Sequence, residues 1–252
     1  MTTKSGHTQH DRQGIADVFA DFYETLFTQT DACKDTPGPT DHDKLQPIAP
    51  FTIEELEVAM KGLKNGRSKD TSGILAEMLK DGGPTLWQTL PNLYNEVLKP
   101  DKAAPTQWRR TQFTVLHKSG DARLPHNYRP IAAIPLLYKL FSRLLYNRLE
   151  TTLDAQQPPD QAGFRRHYST EDHLFTFSLL QETCNEWQLP LWIATVDFKK
   201  AFDTASHSAL WAALLEQGIS TNYVHLLTRL YADQTGVIRT EFEPRIQHPT
   251  RN

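Results

Sequence analysis

An apolar run from Leu191 to Val196, LWIATV, ends on a carboxylate, Asp197, and no other stretch constrains the fold of this chain so tightly. Trp192, Ile193 and Val196 fit a strand buried in a sheet, and such a strand delivers Asp197 to the exposed C-terminal edge. A buried, unpaired carboxylate is costly. A divalent cation answers that cost, because hard cations take oxygen ligands and Mg²⁺ keeps few protein ligands in phosphate-transfer sites. The plainer alternative is a strand-end Asp that caps the following segment.

The chain has 252 residues, enough for one large domain or two small ones with a buried core. With 38% hydrophobic and 23% charged residues it reads as globular rather than disordered. No apolar run is long enough to span a bilayer and no signal peptide opens the chain, so an intracellular setting, cytoplasmic or nuclear, is expected, with no membrane partner. Cys33 and Cys184 are far apart and form no CxxC pair, and the histidines lack metal-ligand spacing, which argues against zinc and for reduced thiols.

The net charge of −3 argues at first against nucleic acid, but its distribution argues for it. Residues 1–60 are strongly acidic. From Lys102 to Leu149 the balance reverses: Lys102, Arg109, Arg110, Lys118, Arg123, Arg129, Lys139, Arg143 and Arg148 face only Asp121. Such a block can hold a phosphate backbone although the whole chain is acidic. A solvated helix face would account equally well for Arg143 and Arg148.

Periodicity places the other elements. Residues 14–27 carry Ile15, Val18, Phe19, Phe22 and Leu26 at helical spacing, followed by a polar, Pro-rich loop. Thr52 and Glu55 make a capping box, with Phe51 and Leu56 as its staple, for a helix that Gly66 is expected to end. Helices follow at 74–80 and 84–98, the latter with Pro91 inside it. Strands at 112–117 and 128–134 should pair across the SGDARLPHN turn. Amphipathic helices are expected at 136–153 and 170–187, the second turning Leu174, Phe177, Leu180 and Cys184 to one side. Two more helices, at 206–217 and 221–232, precede a strand at 235–241. Helices and strands mix without regular βαβ alternation, so the fold class is α+β.

The order D-F-K-K-A-F-D at Asp197–Asp203, between an apolar strand and an amphipathic helix, resembles the first catalytic motif of reverse transcriptases of the non-LTR (LINE-type) retrotransposons. Three further segments resemble that family in the family's own order: GRSKDTSGILAEMLK from Gly66, FTVLHKSGDARLPHNYRPIAAIPLLYKLFSRLLYNRL from Phe113, and QAGFRRHYSTEDHL from Gln161. The resemblance covers residues 51–240. HKSGD with YRPI fits the LINE type better than group II intron-type maturases or telomerase-like relatives.

The resemblance implies a right-hand polymerase fold, with fingers and an incomplete palm. Residues 1–50 would be a connector (short helix and flexible loop), 51–190 the fingers-like region, and 191–252 a partial palm with the first catalytic motif. It implies an RNA-directed DNA polymerase that uses Mg²⁺, an RNA template, a DNA primer and deoxynucleoside triphosphates. By the same resemblance Asp197 is the catalytic metal ligand, helped by the backbone carbonyl of Phe198. Lys118 and Arg129 would hold the incoming triphosphate, either residue being ordinary surface charge otherwise. Phe202 would lie under the sugar and disfavour a ribose 2′-hydroxyl, where the plainer reading is a core Phe. Lys69 and Asp70 would touch the template strand, and Gln161, Gly163, Phe164 and Arg165 would shape the template and nucleotide pocket. His167 and Tyr168 depart from the family's Gly and basic residue.

Tyr231-Ala232-Asp233-Gln234 mimics the family's paired-Asp turn but follows a helical pattern, so Asp233 reads as a helix-end residue. The expected Q-G-D-P segment and paired-Asp turn do not occur before Asn252, and the family's upstream endonuclease is not in the chain either. The expectation is a polymerase fragment that is inactive alone. The alternative is a non-catalytic nucleic-acid or protein-binding remnant.

Overall fold

A computed structural model describes residues 1–28, 46–240 and, as backbone, 243–249. Most of the Pro-rich loop, with Cys33, lies outside the described residues. The architecture is α+β: a helical layer beside a four-stranded sheet that carries one helix on one face.

The helical layer forms where the periodicity predicts it. Helix α2 (Ile53–Lys61) opens with the expected box: the Thr52 hydroxyl accepts the Glu55 N–H, and the Glu55 carboxylate accepts the Thr52 N–H at 3.0 Å. It ends earlier than expected, at Gly62, whose N–H turns back to the carbonyls of Ala59 and Met60. Gly66 instead shapes the next loop with a positive φ of 68°, and its N–H donates to Glu77. Helices α3 (Ala76–Lys80), α4 (Gly83–Leu98) and α5 (Leu136–Gln156) pack with α2 around Phe51, Leu56, Met60, Tyr94, Trp108, Phe141 and Leu144. Phe141 sits at the centre of that aromatic group, 5.8 Å from Phe51, 5.5 Å from Tyr94 and 5.1 Å from Trp108. Helices α7 (His207–Glu216) and α8 (Thr221–Tyr231) pack on the far part of α5 through Leu149, Trp211, Ile219 and Val224. Arg229 of α8 donates to the carbonyls of Val97, Lys99 and Lys102, satisfying the open C-terminal end of α4.

Strand β1 (Arg110–His117) pairs antiparallel with β2 (Tyr128–Ala133) and parallel with β3 (Thr235–Thr240), which pairs antiparallel with β4 (Glu243–Pro249). The order is β2-β1-β3-β4. Helix α1 (Arg12–Thr28) covers one face, where Phe19, Tyr23 and Ile238 cluster with Phe113, Val115 and Tyr128. The segment that reads in sequence as a connector thus contributes a helix packed on the sheet.

Two further expectations fail. Residues 191–197 do not form a strand: Trp192 is 92% exposed and Val196 79%. A strand with apolar side chains on both faces needs a ladder partner and cover on two sides. Among the described residues the run pairs with no strand of the sheet and joins none of the apolar clusters, so it has neither. Helix α6 (Thr170–Glu186) forms as expected, capped by Ser169, but buries no residue; Leu174, Phe177 and Leu180 all face solvent.

Candidate nucleotide and nucleic-acid site

The β1–β2 hairpin presents two cations on one face. The register opposes Leu116 to Arg129, and Lys118 extends the pairing by one step, its N–H donating to the Asn127 carbonyl at 2.8 Å. Side chains alternate along a strand, so Lys118, Leu116 and Arg129 share the face that also carries Thr114 and Ile131. That face is exposed. The opposite face, with Phe113, Val115 and Tyr128, is the one under α1. The connecting turn is braced. Asn127 donates to the Asp121 carbonyl, the Arg123 guanidinium holds the Asp121 carboxylate at 2.9 Å, and the Tyr128 hydroxyl reaches the Ala122 carbonyl. Among the described residues neither Lys118 nor Arg129 is in an ion pair.

Much of the remaining basic block is committed elsewhere. Arg148 binds Glu55 through two hydrogen bonds of 2.7 Å, donates to the carbonyls of Ala49 and Pro50, and lies 4.1 Å from the centre of the Phe51 ring. The Arg148 hydrogen bonds hold the Glu55 carboxyl below the usual carboxylate range, against the effect of burial. Arg109 pairs with Asp233 at 3.3 Å. Asp233 follows α8 with a positive φ of 54° and precedes β3, so it stands between a helix and a strand, as its sequence context predicts, not between two strands.

Asp197 and Phe198 are exposed in the irregular segment after α6. The Asp197 carboxylate has no hydrogen bond or ion pair among the described residues. The following turn is well defined: the Lys200 carbonyl accepts from the N–H groups of Asp203 and Thr204 and from the Thr204 hydroxyl. Lys200 has a positive φ of 53° and sends its ammonium over the Phe22 ring of α1, 4.4 Å from the centre. It thus touches the helix that covers the sheet face opposite Lys118 and Arg129.

Phe202 is no core residue; it is 82% exposed and packs edge-on against Phe164, 5.7 Å between ring centres. Phe164 holds a positive φ of 62°, an uncommon conformation for an aromatic residue. These two residues come from different sequence motifs and meet at the surface. The loop carrying Phe164 is fixed by Arg165, which pairs with Asp154 at 2.9 Å, donates to the carbonyls of Pro158 and Gln161, and stacks on Tyr168. Gln161 donates to the Gly163 carbonyl within the same loop. His167, where the sequence departs from the motif, also has a positive φ, 66°.

Lys69 is exposed beside a loop that its neighbour organises. Asp70 accepts the N–H groups of Ser72 and Ile74 on one oxygen and that of Leu136, the first residue of α5, on the other at 2.6 Å. The local half of that role is readable, since an Asp followed by Thr-Ser-Gly favours an Asx turn; the reach to α5 is not.

Among the described residues no cluster of three His, Cys, Asp or Glu side chains could hold a metal ion, and no helix is long and apolar enough to cross a membrane. Residues 116–249 match the family described as reverse transcriptase (RNA-dependent DNA polymerase). The chain is 25% identical over 247 residues to the transposon TX1 uncharacterized 149 kDa protein of Xenopus laevis, covering 95% of this chain and 19% of that protein. It is 29% identical over 222 residues to the probable RNA-directed DNA polymerase from transposon BS of Drosophila melanogaster, covering 81% and 24%. Over 190 residues it is 28% identical to the retrovirus-related Pol polyprotein from the type-1 retrotransposable element R2 of Popillia japonica, covering 75% and 26%. The chain therefore spans about a fifth to a quarter of the length of these relatives. It belongs to the reverse transcriptase family, as part of a polymerase domain of the non-LTR retrotransposon, or LINE, type.

Proposed function

We propose that this chain supplies the fingers and the first part of the palm of an RNA-directed DNA polymerase. In this reading Lys118 and Arg129 bind the triphosphate of an incoming deoxynucleotide, Arg by paired hydrogen bonds and Lys as a point charge. Phe202 lies against the sugar, with Phe164 behind it. Gln161, Gly163 and Arg165 hold the loop that carries Phe164, and Lys69 approaches the template strand. The partners are an RNA template and a DNA primer.

The observation that carries the reading is the hairpin: two cations free of ion pairs among the described residues, side by side on an open sheet face, over a turn already braced by its own hydrogen bonds. The metal is Mg²⁺. Asp197 is an exposed carboxylate without a partner among the described residues, which is the right donor chemistry for a hard cation, and the Phe198 carbonyl would add a second oxygen. When bound, Mg²⁺ would stabilise charge on the phosphoryl oxygens.

Titration of the chain with a fluorescent deoxynucleoside triphosphate tests the nucleotide assignment. Charge-assisted hydrogen bonds contribute about 1.5–3 kcal/mol each, so Arg129→Ala is expected to weaken binding by about tenfold or more. Unchanged affinity in both Arg129→Ala and Lys118→Ala would remove the nucleotide site from this hairpin.

A further inference from the structure

The ammonium of Lys200 is buried and has no hydrogen-bond acceptor among the described residues. It rests on two rings of α1, 4.4 Å from the centre of Phe22 and 5.3 Å from that of Tyr23, within the range of cation–π attraction. A lysine is rarely buried without a hydrogen-bonded partner, so this contact has to replace water. Asp203, on the same turn, is the nearby opposite charge; burial raises its carboxyl above the usual range and Lys200 opposes that rise. Tyr23 then continues the chain of contacts. Its hydroxyl, kept protonated by burial and by the negative charge of Asp203, donates to the Tyr128 carbonyl at 3.1 Å. Tyr128 directly precedes Arg129 on β2 and packs edge-on against Phe19 of α1, 4.8 Å between ring centres. One helix therefore touches both the turn after Asp197 and the strand that carries Arg129.

We infer that α1 is part of the polymerase framework, and that Lys200 is a positioning residue which anchors the Asp197 turn to Phe22 and Tyr23 and so fixes its place relative to the basic hairpin. The functional importance of that anchor rests on the reading of Asp197 as a metal ligand. The anchor itself is a statement about α1 and the turn, and it can be tested without metal or substrate.

The test is amide hydrogen exchange on the full chain with Lys200→Met, Lys200→Arg and Phe22→Leu, together with the thermal midpoint of each. Lys200→Met keeps the length and loses the charge; Lys200→Arg keeps a cation over the rings. The expected result is exchange at least tenfold faster at Asp203 and Thr204, whose N–H groups the Lys200 carbonyl accepts, in Lys200→Met and Phe22→Leu. Near wild-type protection is expected in Lys200→Arg, with α5 unchanged in all three. Unchanged exchange at Asp203 and Thr204 in Lys200→Met and Phe22→Leu would overturn the anchor. So would a loss of protection that Lys200→Arg fails to restore, or one that spreads to α5 with a falling midpoint, since those patterns belong to general packing. If the anchor holds but Asp197→Ala leaves Mg²⁺ binding unaltered, the metal reading fails while the anchor stands.

Discussion

Arg148 and Glu55 show how much of a charge pattern is spent inside the fold. The Thr52–Glu55 box is readable four residues at a time, because its partners are local. Nothing local indicates that Glu55 also receives an arginine from a helix that begins far downstream. A count of basic residues therefore assigns Arg148 to a surface it does not serve; its side chain is only 15% exposed. Arg148→Met should destabilise the chain by about 2 kcal/mol, since it strands a partly buried carboxylate and frees two carbonyls; urea unfolding at neutral pH measures it. Glu55→Gln keeps the box and loses the charge, and should cost about 1 kcal/mol, discounted because the carboxylate is 34% exposed. The Glu55 carboxyl titrates below its ordinary value in the folded state. Its contribution is thus complete above the unfolded value of about 4.3 and lost as pH falls through the lower folded value. The difference in stability between wild type and Glu55→Gln should accordingly be present at about pH 6 and shrink as pH falls through the lowered folded value. A difference independent of pH would show that the ion pair contributes nothing. Asp70 belongs to the same class: its place in the Lys69 motif is visible, whereas its bond to the first residue of α5 depends on tertiary approach.

Elements were legible in proportion to how local their causes are. Helices α2, α4, α5, α7 and α8 and the β1–β2 hairpin follow from apolar spacing, caps and turn residues, and they form within a few residues of expectation. The parallel β1–β3 pairing was not legible, because register across so long a connection leaves no sequence signature. Residues 191–197 have strand composition but no strand, since a ladder requires a partner that composition cannot supply. Helix α6 makes the same point from the other side. It has a cap and seventeen residues, but none of them is buried. Isolated helices of this length are marginal in water, and most helical stability comes from packing. Its amides should therefore exchange orders of magnitude faster than those of α5, whose Leu140, Phe141 and Leu144 are in the core. Equal protection in α6 and α5 would mean that the apolar side chains of α6 are covered in solution.

Across the whole molecule the question is what charge and chemistry remain available once the internal pairs are removed. Asp197 with one backbone carbonyl cannot fix two Mg²⁺ ions, because each demands near-octahedral geometry and the pair needs bridging carboxylates. Primer extension on an RNA template by the 252-residue chain, with Mg²⁺ and deoxynucleotides, should therefore give no product. Product that Asp197→Ala abolishes would show a complete catalyst. Binding does not carry that requirement. With Lys102, Arg109, Arg123 and Arg148 in ion pairs among the described residues, the other cations of the basic block are Arg110, Lys118, Arg129, Lys139 and Arg143, and without a bound nucleotide Lys118 and Arg129 are two of the five open to backbone phosphate. The availability of Lys118 and Arg129 is tested most directly by the salt dependence of binding to a labelled RNA–DNA hybrid, measured by fluorescence anisotropy for wild type and for the Lys118→Ala/Arg129→Ala pair. Each lost phosphate contact lowers the slope of log affinity against log salt by about one. Wild type is expected to bind at low salt with a steep slope, and the double variant to lose about two from its magnitude. An identical slope in the two proteins, or no binding by wild type at low salt, would contradict it.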